Sequence, residues 1–446
     1  MRVAHILRKY DPSEWGGTET AVSALGEGLR ARSIDSTVFC PALARGSPAA
    51  HGCPDPLAAA GHRIARFRAF LPILGLPKAN RQKLRSVGGN LISLEAPLML
   101  LRAPGLSLIH SHSLNRLGAI GRVVARSRRI PFVVTIHGGA LDLSPETREE
   151  LARPARGGLD WGRLVGAVLR SRQLLQDADA VIALNDREGD LLRARFPKQR
   201  VRVSGNGINV GLYQADRRAA ALAAFPELNG RPFVVMLGRL DPVKNQGWVL
   251  RESQRFLAAH PALHVVLVGA DTDADYGDGL RRSAAASASA DRIHFLGALP
   301  PRDPRLVGLL QLSAALILPS VSETFGLVLL EAWAAGTAVL SSRTAGALSL
   351  VKDGENGALF ELREPDSFHA ALGALLLDEP RRLALAAAGS ALVEARFDAR
   401  AAVGRVIDLY RELCERKSVG HAQGGHQQGE HEHEHEQGGQ PQGGRS

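Results

Sequence analysis

Apolar residues recur in two rhythms along this chain. Short β-branched runs, "RVAHIL", "STVFC", "LSLIHSH", "IPFVVTIHG" and "ADAVIALN", are separated by longer stretches such as "TAVSALGEGLRAR", where apolar positions return every three or four residues. This alternation predicts parallel strands joined by crossover helices. After "RVRVSGNGIN" the rhythm fades through a polar, Ala-rich connector, then restarts with "RPFVVMLGRL", "LHVVLVGA", "RIHFLG", "AALILPS" and "TAVLSS". The restart predicts two doubly wound α/β domains, residues 1–205 and 231–398, with a connector over 206–230 and a closing helix over 399–416 that returns to the first domain. From Lys417 the chain holds little but Gly, Gln, His and Glu, too few apolar groups to order itself, so 417–446 reads as a disordered tail.

Length agrees with that division, because 446 residues exceed one ordinary core and suit two units of roughly 200 residues facing across a cleft. The net charge of +10 favours anionic partners, but no zinc-finger spacing or basic recognition helix accompanies it, which argues against nucleic acid. The start "MRVAHILRKYD" is too short in apolar residues for a signal peptide, and no stretch reaches the roughly 20 apolar residues of a membrane span. The expected location is the cytoplasm. Cys40, Cys53 and Cys414 are odd in number and widely spaced, so neither a disulfide framework nor a zinc site is indicated.

The segment "SETFGLVLLEAWAAG" carries the most specific chemistry. Glu323 and Glu331 lie eight residues apart, a little over two helical turns, and so return to roughly one face. "FGLVLLEAWAA" reads as a helix closed by Gly336, which puts the amides of Phe325, Gly326 and Leu327 in a first turn suited to a phosphate. Glu331 sits among Leu327, Leu330 and Ala334, with little solvated face, and a half-buried acid wants donors such as ribose hydroxyls. In "MLGRLDPVKNQ", Arg239 and Lys244 follow a strand directly, at the carboxyl end of the sheet where open α/β folds bind ligands. A planar guanidinium and a compact ammonium together can stabilise a departing diphosphate without a metal. The plainer alternatives are a helix-start acid, a surface acid and two solvated loop cations.

These motifs resemble the retaining glycosyltransferases of family 4. "SETFGLVLLEAWAAG" is similar to that family's E-x7-E signature and "GRLDPVKN" to its Arg/Lys diphosphate motif. The Gly16-Gly17 loop with Glu19, "HSH" at His110 and His112, "VTIHGG", "GNGIN" and "KDGENGALF" resemble further landmarks in the same order. The resemblance spans most of residues 1–416. It implies a GT-B fold, two Rossmann-like domains across a cleft, no required metal or other cofactor, and a nucleotide-diphosphate sugar held mainly by the second domain. Residue by residue it implies Arg239 and Lys244 on the diphosphate, Glu323 with the Phe325, Gly326 and Leu327 amides on the donor sugar, Glu331 on the ribose, Gly16 and Gly17 close to the phosphates, and His112 near the reacting sugar. His137 holds a similar strand-end place. Two positions depart from the pattern: Ser349 stands where the family often has Glu, and Trp333 where a small or thioether residue is usual.

Other segments offer weaker chemistry. "DTDADYGDG", from Asp271, alternates acids but has Tyr276 and Arg282 where a calcium loop needs Gly and Glu, and reads as a solvated turn. His431, Glu432 and His435 spell a zinc-protease motif by repetition, outside any expected folded site. Residues 62–85 mix bulky apolar side chains with Arg and Lys and contain no acid, which suits an anionic membrane surface or, alternatively, a packing segment with solvated charges. The expected activity is sugar transfer from a nucleotide sugar to a saccharide or lipid-linked acceptor of polysaccharide or lipopolysaccharide synthesis, on the inner face of the membrane. A nucleotide-sugar epimerase of the same architecture and an inactive sugar-nucleotide-binding subunit are the competing readings.

Overall fold

The structure, a computed structural model, describes residues 1–12, 15–43, 55–86, 88–141, 149, 152–271, 274–300 and 302–435, with side chains described as far as residue 419 except at 86 and 274. Cys53 lies outside the described residues. The first half builds a seven-stranded sheet from β1 (Arg2–Ile6), β2 (Asp35–Pro41), β3 (His62–Phe67), β5 (Leu108–Ser111), β6 (Phe132–Thr135), β8 (Ala180–Ala183) and β9 (Val201–Val203). A two-stranded antiparallel ribbon, β4 (Ile73–Leu74) with β7 (Leu159–Asp160), stands apart from it. The second half builds a six-stranded sheet from β10 (Phe233–Leu237), β11 (His264–Val268), β12 (Ile293–Phe295), β13 (Ala315–Leu318), β14 (Ala338–Ser342) and β15 (Ala358–Phe360).

Strand order is β3-β2-β1-β5-β6-β8-β9 in one sheet and β12-β11-β10-β13-β14-β15 in the other, and every pairing within them is parallel. Strands such as Leu108–Ser111 and Ala315–Leu318 are buried at every position because helices cover both faces. In each sheet the winding reverses once, between β1 and β5 and between β10 and β13. Loops leaving the carboxyl ends of strands at such a switch part and open a crevice. The loops after β1, β10 and β13 carry Gly16 and Gly17, Arg239 and Lys244, and Glu323 respectively.

Three features depart from the sequence-based reading. Residues 62–67 of the acid-free segment form β3, paired with β2 from Ser36↔His62 to Pro41↔Phe67. The strand escaped notice because it is an edge strand, half exposed and studded with Arg63 and Arg66, a pattern that blunts edge pairing and masks alternation. The 206–230 connector is a packed part of the second unit: Tyr213, Ala221 and Leu228 lie in its core, and Gly308 admits the Arg217 carbonyl where a Cβ would sit 2.2 Å away. The final helix is continuous from Ala399 to His435, past the Lys417 boundary, with no proline before Pro441 to end it. Within it Val403, Ile407, Tyr410 and Leu413 pack on Val3, Leu25 and Leu29 of the first unit. At the crossing between units, Ile208 exchanges backbone hydrogen bonds with Phe397 and Ala399, both 2.9 Å.

Candidate active site

The loop after β10 begins with a close backbone approach. A Cβ at Gly269 would lie 1.9 Å from the Gly238 carbonyl oxygen, so only glycine lets the two strand ends meet there. Asp241 then organises the turn: it accepts the Lys244 amide at 3.1 Å and pairs with Arg239 at 3.1 Å. The Gln246 side chain donates to the Arg239 carbonyl at 2.8 Å, and Val321 donates to the Val243 carbonyl at 2.8 Å, tying this loop to the one after β13. Lys244 Nζ thereby reaches Glu323 Oε2 at 2.5 Å, with both side chains about four-fifths buried.

Glu323 belongs to the loop rather than to the helix. The helix runs Leu327–Ala334, and Gly326 caps it at φ +89°, a left-handed conformation that excludes Phe325 from the first turn. The expected shared helical face of Glu323 and Glu331 is therefore absent; the two acids are brought near the junction by a loop and a helix separately. The loop is fixed at its carbonyls, Glu323 accepting from the Gly346 amide at 2.7 Å and Thr324 from Asn185 Nδ2 at 2.8 Å. The second of these bonds comes from the first unit. Phe325 packs edge-on to Phe397, ring centroids 5.8 Å apart, and occupies the space that Gly205 leaves.

Glu331 lies on the helix, partly open, with the buried Tyr213 hydroxyl as its hydrogen-bond partner. Apolar surroundings raise its carboxyl to about 7, against which the Tyr213 bond pulls in the opposite direction. From the facing unit, Gly17 opens the helix Gly17–Arg30 so close to Leu327 that an added Cβ would touch its Cδ1 at 3.4 Å. Gly16 leaves room for the Glu19 carboxylate, 3.1 Å from where its Cβ would be. Burial raises the pKa of Glu19, and the cations Lys9, Arg8 and Arg239 oppose that shift. Arg8, at the end of β1, thus joins Arg239 across the junction and was missed in the sequence, where a lone Arg after a strand carries no signal.

His112 stands in a row of histidines of the first unit. It is buried between His5, 3.1 Å from its Nε2, and His137, 2.8 Å from its Nδ1. His137, at one end of the row, is partly exposed, and the charge of Arg8 adds to burial in lowering its basicity. Its loop is held by Glu188, which accepts the Ala140 and Leu141 amides at 3.0 Å each. Asn185 and Glu188 were also missed, although "NDRE" after the strand "ADAVIAL" has the spacing of a helix-capping pair, and Asn185 does accept the Glu188 amide. The two departures from the family pattern are accommodated locally. Trp333 is fully buried, donates to the Asn356 carbonyl at 2.8 Å and fills the space above Gly389, while Ser349 turns its hydroxyl back to the Gly346 carbonyl. The acidic run after β11 is only partly within the described residues; there Asp271 pairs with Arg281 at 2.8 Å.

Comparison with known proteins bears on this arrangement. Residues 220–391 match the family described as "Glycosyl transferases group 1", and residues 16–207 match the "Glycosyl transferase 4-like domain". A D-inositol 3-phosphate glycosyltransferase of Acidothermus cellulolyticus is 29% identical over 434 residues, 94% of this chain and 92% of that protein. The protein of the same name from Nocardia farcinica is 31% identical over 61% of this chain and 59% of its own length. Among solved structures, Anabaena HepE in complex with UDP and glucose superposes with a TM-score of 0.69 at 19% identity, over 93% of this chain and 100% of that one. The paired parallel sheets have the GT-B fold, the two matches together span nearly the whole of both units, and the chain belongs to the group 1 glycosyl transferases.

Proposed function

We propose that the chain is a retaining glycosyltransferase that takes a sugar from a nucleotide-diphosphate donor without requiring a metal ion. The observation that carries this reading is the Lys244–Glu323 pair with Arg239 beside it, at the carboxyl ends of β10 and β13. Arg239 and Lys244 meet the two phosphates, and Lys244 exchanges its 2.5 Å contact with Glu323 for the leaving diphosphate, freeing that carboxylate for hydroxyls of the donor sugar. The Leu327 end of the helix adds its positive dipole, and Glu331 with Tyr213 accepts and orders the ribose hydroxyls. Gly16 and Gly17 let the first unit's backbone approach the phosphates. HepE holds UDP and glucose, which supports a nucleotide sugar as donor.

The acceptor belongs to the first unit. Its outer face exposes Leu94, Leu98 and Leu101 at helical spacing, and Trp161, Leu164 and Val168 on a second short helix, while Phe70 stacks on Trp161 at 5.9 Å. Arg68, Lys78, Arg81, Lys83 and Arg85 lie in the adjoining acid-free segment. An apolar surface rimmed by cations fits an anionic membrane and hence a lipid-linked saccharide acceptor. No helix among the described residues is long and apolar enough to cross a membrane. The names of the relatives favour a second reading, a phosphorylated cyclitol as acceptor, which Arg8 and Lys9 at the junction would suit. The test is transfer from a panel of nucleotide sugars to both acceptor classes, with the product anomer read by proton NMR. A product with the donor's anomeric configuration is expected, formed equally in EDTA. Inversion, or release of an isomerised nucleotide sugar, contradicts the proposal.

A further inference from the structure

The last helix, Ala399–His435, is anchored to the first unit over its first half. Val403, Ile407, Tyr410 and Leu413 pack there, and Lys417 pairs with Asp179 at 2.9 Å. Asp179 immediately precedes β8, so the helix leaves the first unit at the amino end of that strand, the opposite end of the sheet from the loop that carries Gly16 and Gly17. At 1.5 Å per residue, His431 then stands about 20 Å beyond Lys417 along the helix axis. A segment that reads in the sequence as a disordered tail thus has a helical period, and that changes what its histidines can do.

Five histidines lie on this helix: His421, His426, His431, His433 and His435. On a helix, positions three or four apart are neighbours on one side, about 6 Å between Cβ atoms, whereas positions two or five apart face different sides. Successive histidines here are five, five, two and two apart, and His431 with His435 is the one pair at a spacing of four. His426 and His433 share a side but are two turns, about 10 Å, apart, too far for one ion. Two histidines at i and i+4 are the arrangement by which an H-E-x-x-H helix holds zinc. Glu432 and Glu434 fall to either side of the pair and add carboxylates within one turn of it. In a chain without a helical period the same letters would carry no such meaning.

We propose that His431 and His435 bind one divalent cation of the zinc class, with Glu432 or Glu434 and water completing its coordination. The class follows from the donors: imidazole suits zinc, nickel and copper, whereas magnesium and calcium take oxygen ligands. The ion also has a structural consequence. Gly424, Gly425 and Gly429 lie in the same helix, and glycine is a poor helix former, so a cation fastened across one turn offsets that weakness. The site stands apart from Arg239, Lys244 and Glu323 at the carboxyl ends of β10 and β13. It therefore does not rest on the proposed glycosyl transfer, and a transfer that needs no metal is compatible with it.

The test is isothermal titration calorimetry of the full chain with zinc chloride, after chelator treatment and removal of the chelator. One tightly bound zinc per chain is expected, undisturbed by excess magnesium. His435→Gln combined with Gln440→His keeps all five histidines of the segment but removes the spacing of four, and should weaken binding at least about tenfold. His433→Ala should bind as the parent does, whereas His433→Pro, which keeps both ligands and breaks the turn between them, should lose affinity as the moved histidine does. No zinc bound by the parent overturns the proposal. Equal binding after His435 is moved, or in His433→Pro, also overturns it and leaves adventitious binding by a His-rich segment only. Binding retained in His431→Ala/His435→Ala overturns it as well and places the ion elsewhere, for which His5, His110 and His112 offer ligand atoms within 4.8 Å of one another. The titration needs no sugar donor, so this proposal and the proposed transfer fail separately.

Discussion

Lys244 and Glu331 show how differently two charged groups can be held at one junction. Lys244 is paired with Glu323, whereas Glu331 is set against apolar neighbours with one hydroxyl for support. Because burial raises its folded-state pKa to about 7, above the unfolded value near 4.5, Glu331 contributes stability that is complete below about pH 4.5 and is lost as pH rises through 7. A shift of this size is worth about 3 kcal/mol. Glu331→Gln should therefore melt higher than the parent at pH 8 and lose that advantage by pH 5, as read by calorimetry without ligand. A difference that does not vary with pH would contradict this. At this scale the sequence was informative where a residue's type stated its chemistry, as for Arg239, Lys244 and the acid in an apolar run. It was silent on Tyr213, Arg8, Asn185 and His5, whose partners Glu331, Arg239, Thr324 and His112 lie 107 to 231 positions away, which no local pattern displays.

The helix Leu327–Ala334 is short, apolar and wedged, and its fit depends on glycines elsewhere. Gly326 begins it, Gly336 ends it at φ +79°, and Gly389 on the helix Glu379–Arg396 yields to Trp333. A Cβ at Gly389 would lie 2.1 Å from Trp333 Cδ1, a fully buried ring with nowhere to retreat. Gly389→Ala should cost about 1–3 kcal/mol by overpacking, measurable by urea unfolding, and Trp333→Leu in the same background should recover part of it. Additive losses would show that the two positions do not share the space. Element type was legible here because the alternation of short β-branched runs and longer helical patterns is strong in both halves. Boundaries were not, since a glycine at positive φ inside "TFGLV" delays the helix start by two residues, from Phe325 to Leu327, and leaves Glu323 in the loop. The edge strand His62–Phe67 was hidden by the same arginines that protect it from further pairing.

At the scale of the molecule, two sheets with their winding reversals turned toward one junction bring a cation loop, an acid loop and a glycine pair together from segments more than 300 residues apart. The two-unit plan was readable from the restart of the pattern, while the stitching of Ile208 to Phe397 and Ala399 and the docking of Tyr410 on the first unit required coordinates. If the outer face with Leu94, Leu98, Trp161 and Leu164 sits on lipid, vesicle binding should rise with anionic lipid and fall between 0.1 and 1 M salt, as screening shortens from about 10 Å to about 3 Å. Arg68, Lys83 and Arg85 exchanged for Gln should weaken binding, each by about 1 kcal/mol; binding that is indifferent to salt and to these changes would leave a soluble acceptor. The most direct measurement is the release of nucleoside diphosphate from the preferred nucleotide sugar by the parent, Arg239→Ala and Lys244→Ala, with folding checked by circular dichroism. If these two cations stabilise the leaving diphosphate, each folded variant turns over on the order of a hundredfold more slowly, about 3 kcal/mol in the transition state. Near-parental turnover in both would contradict that role.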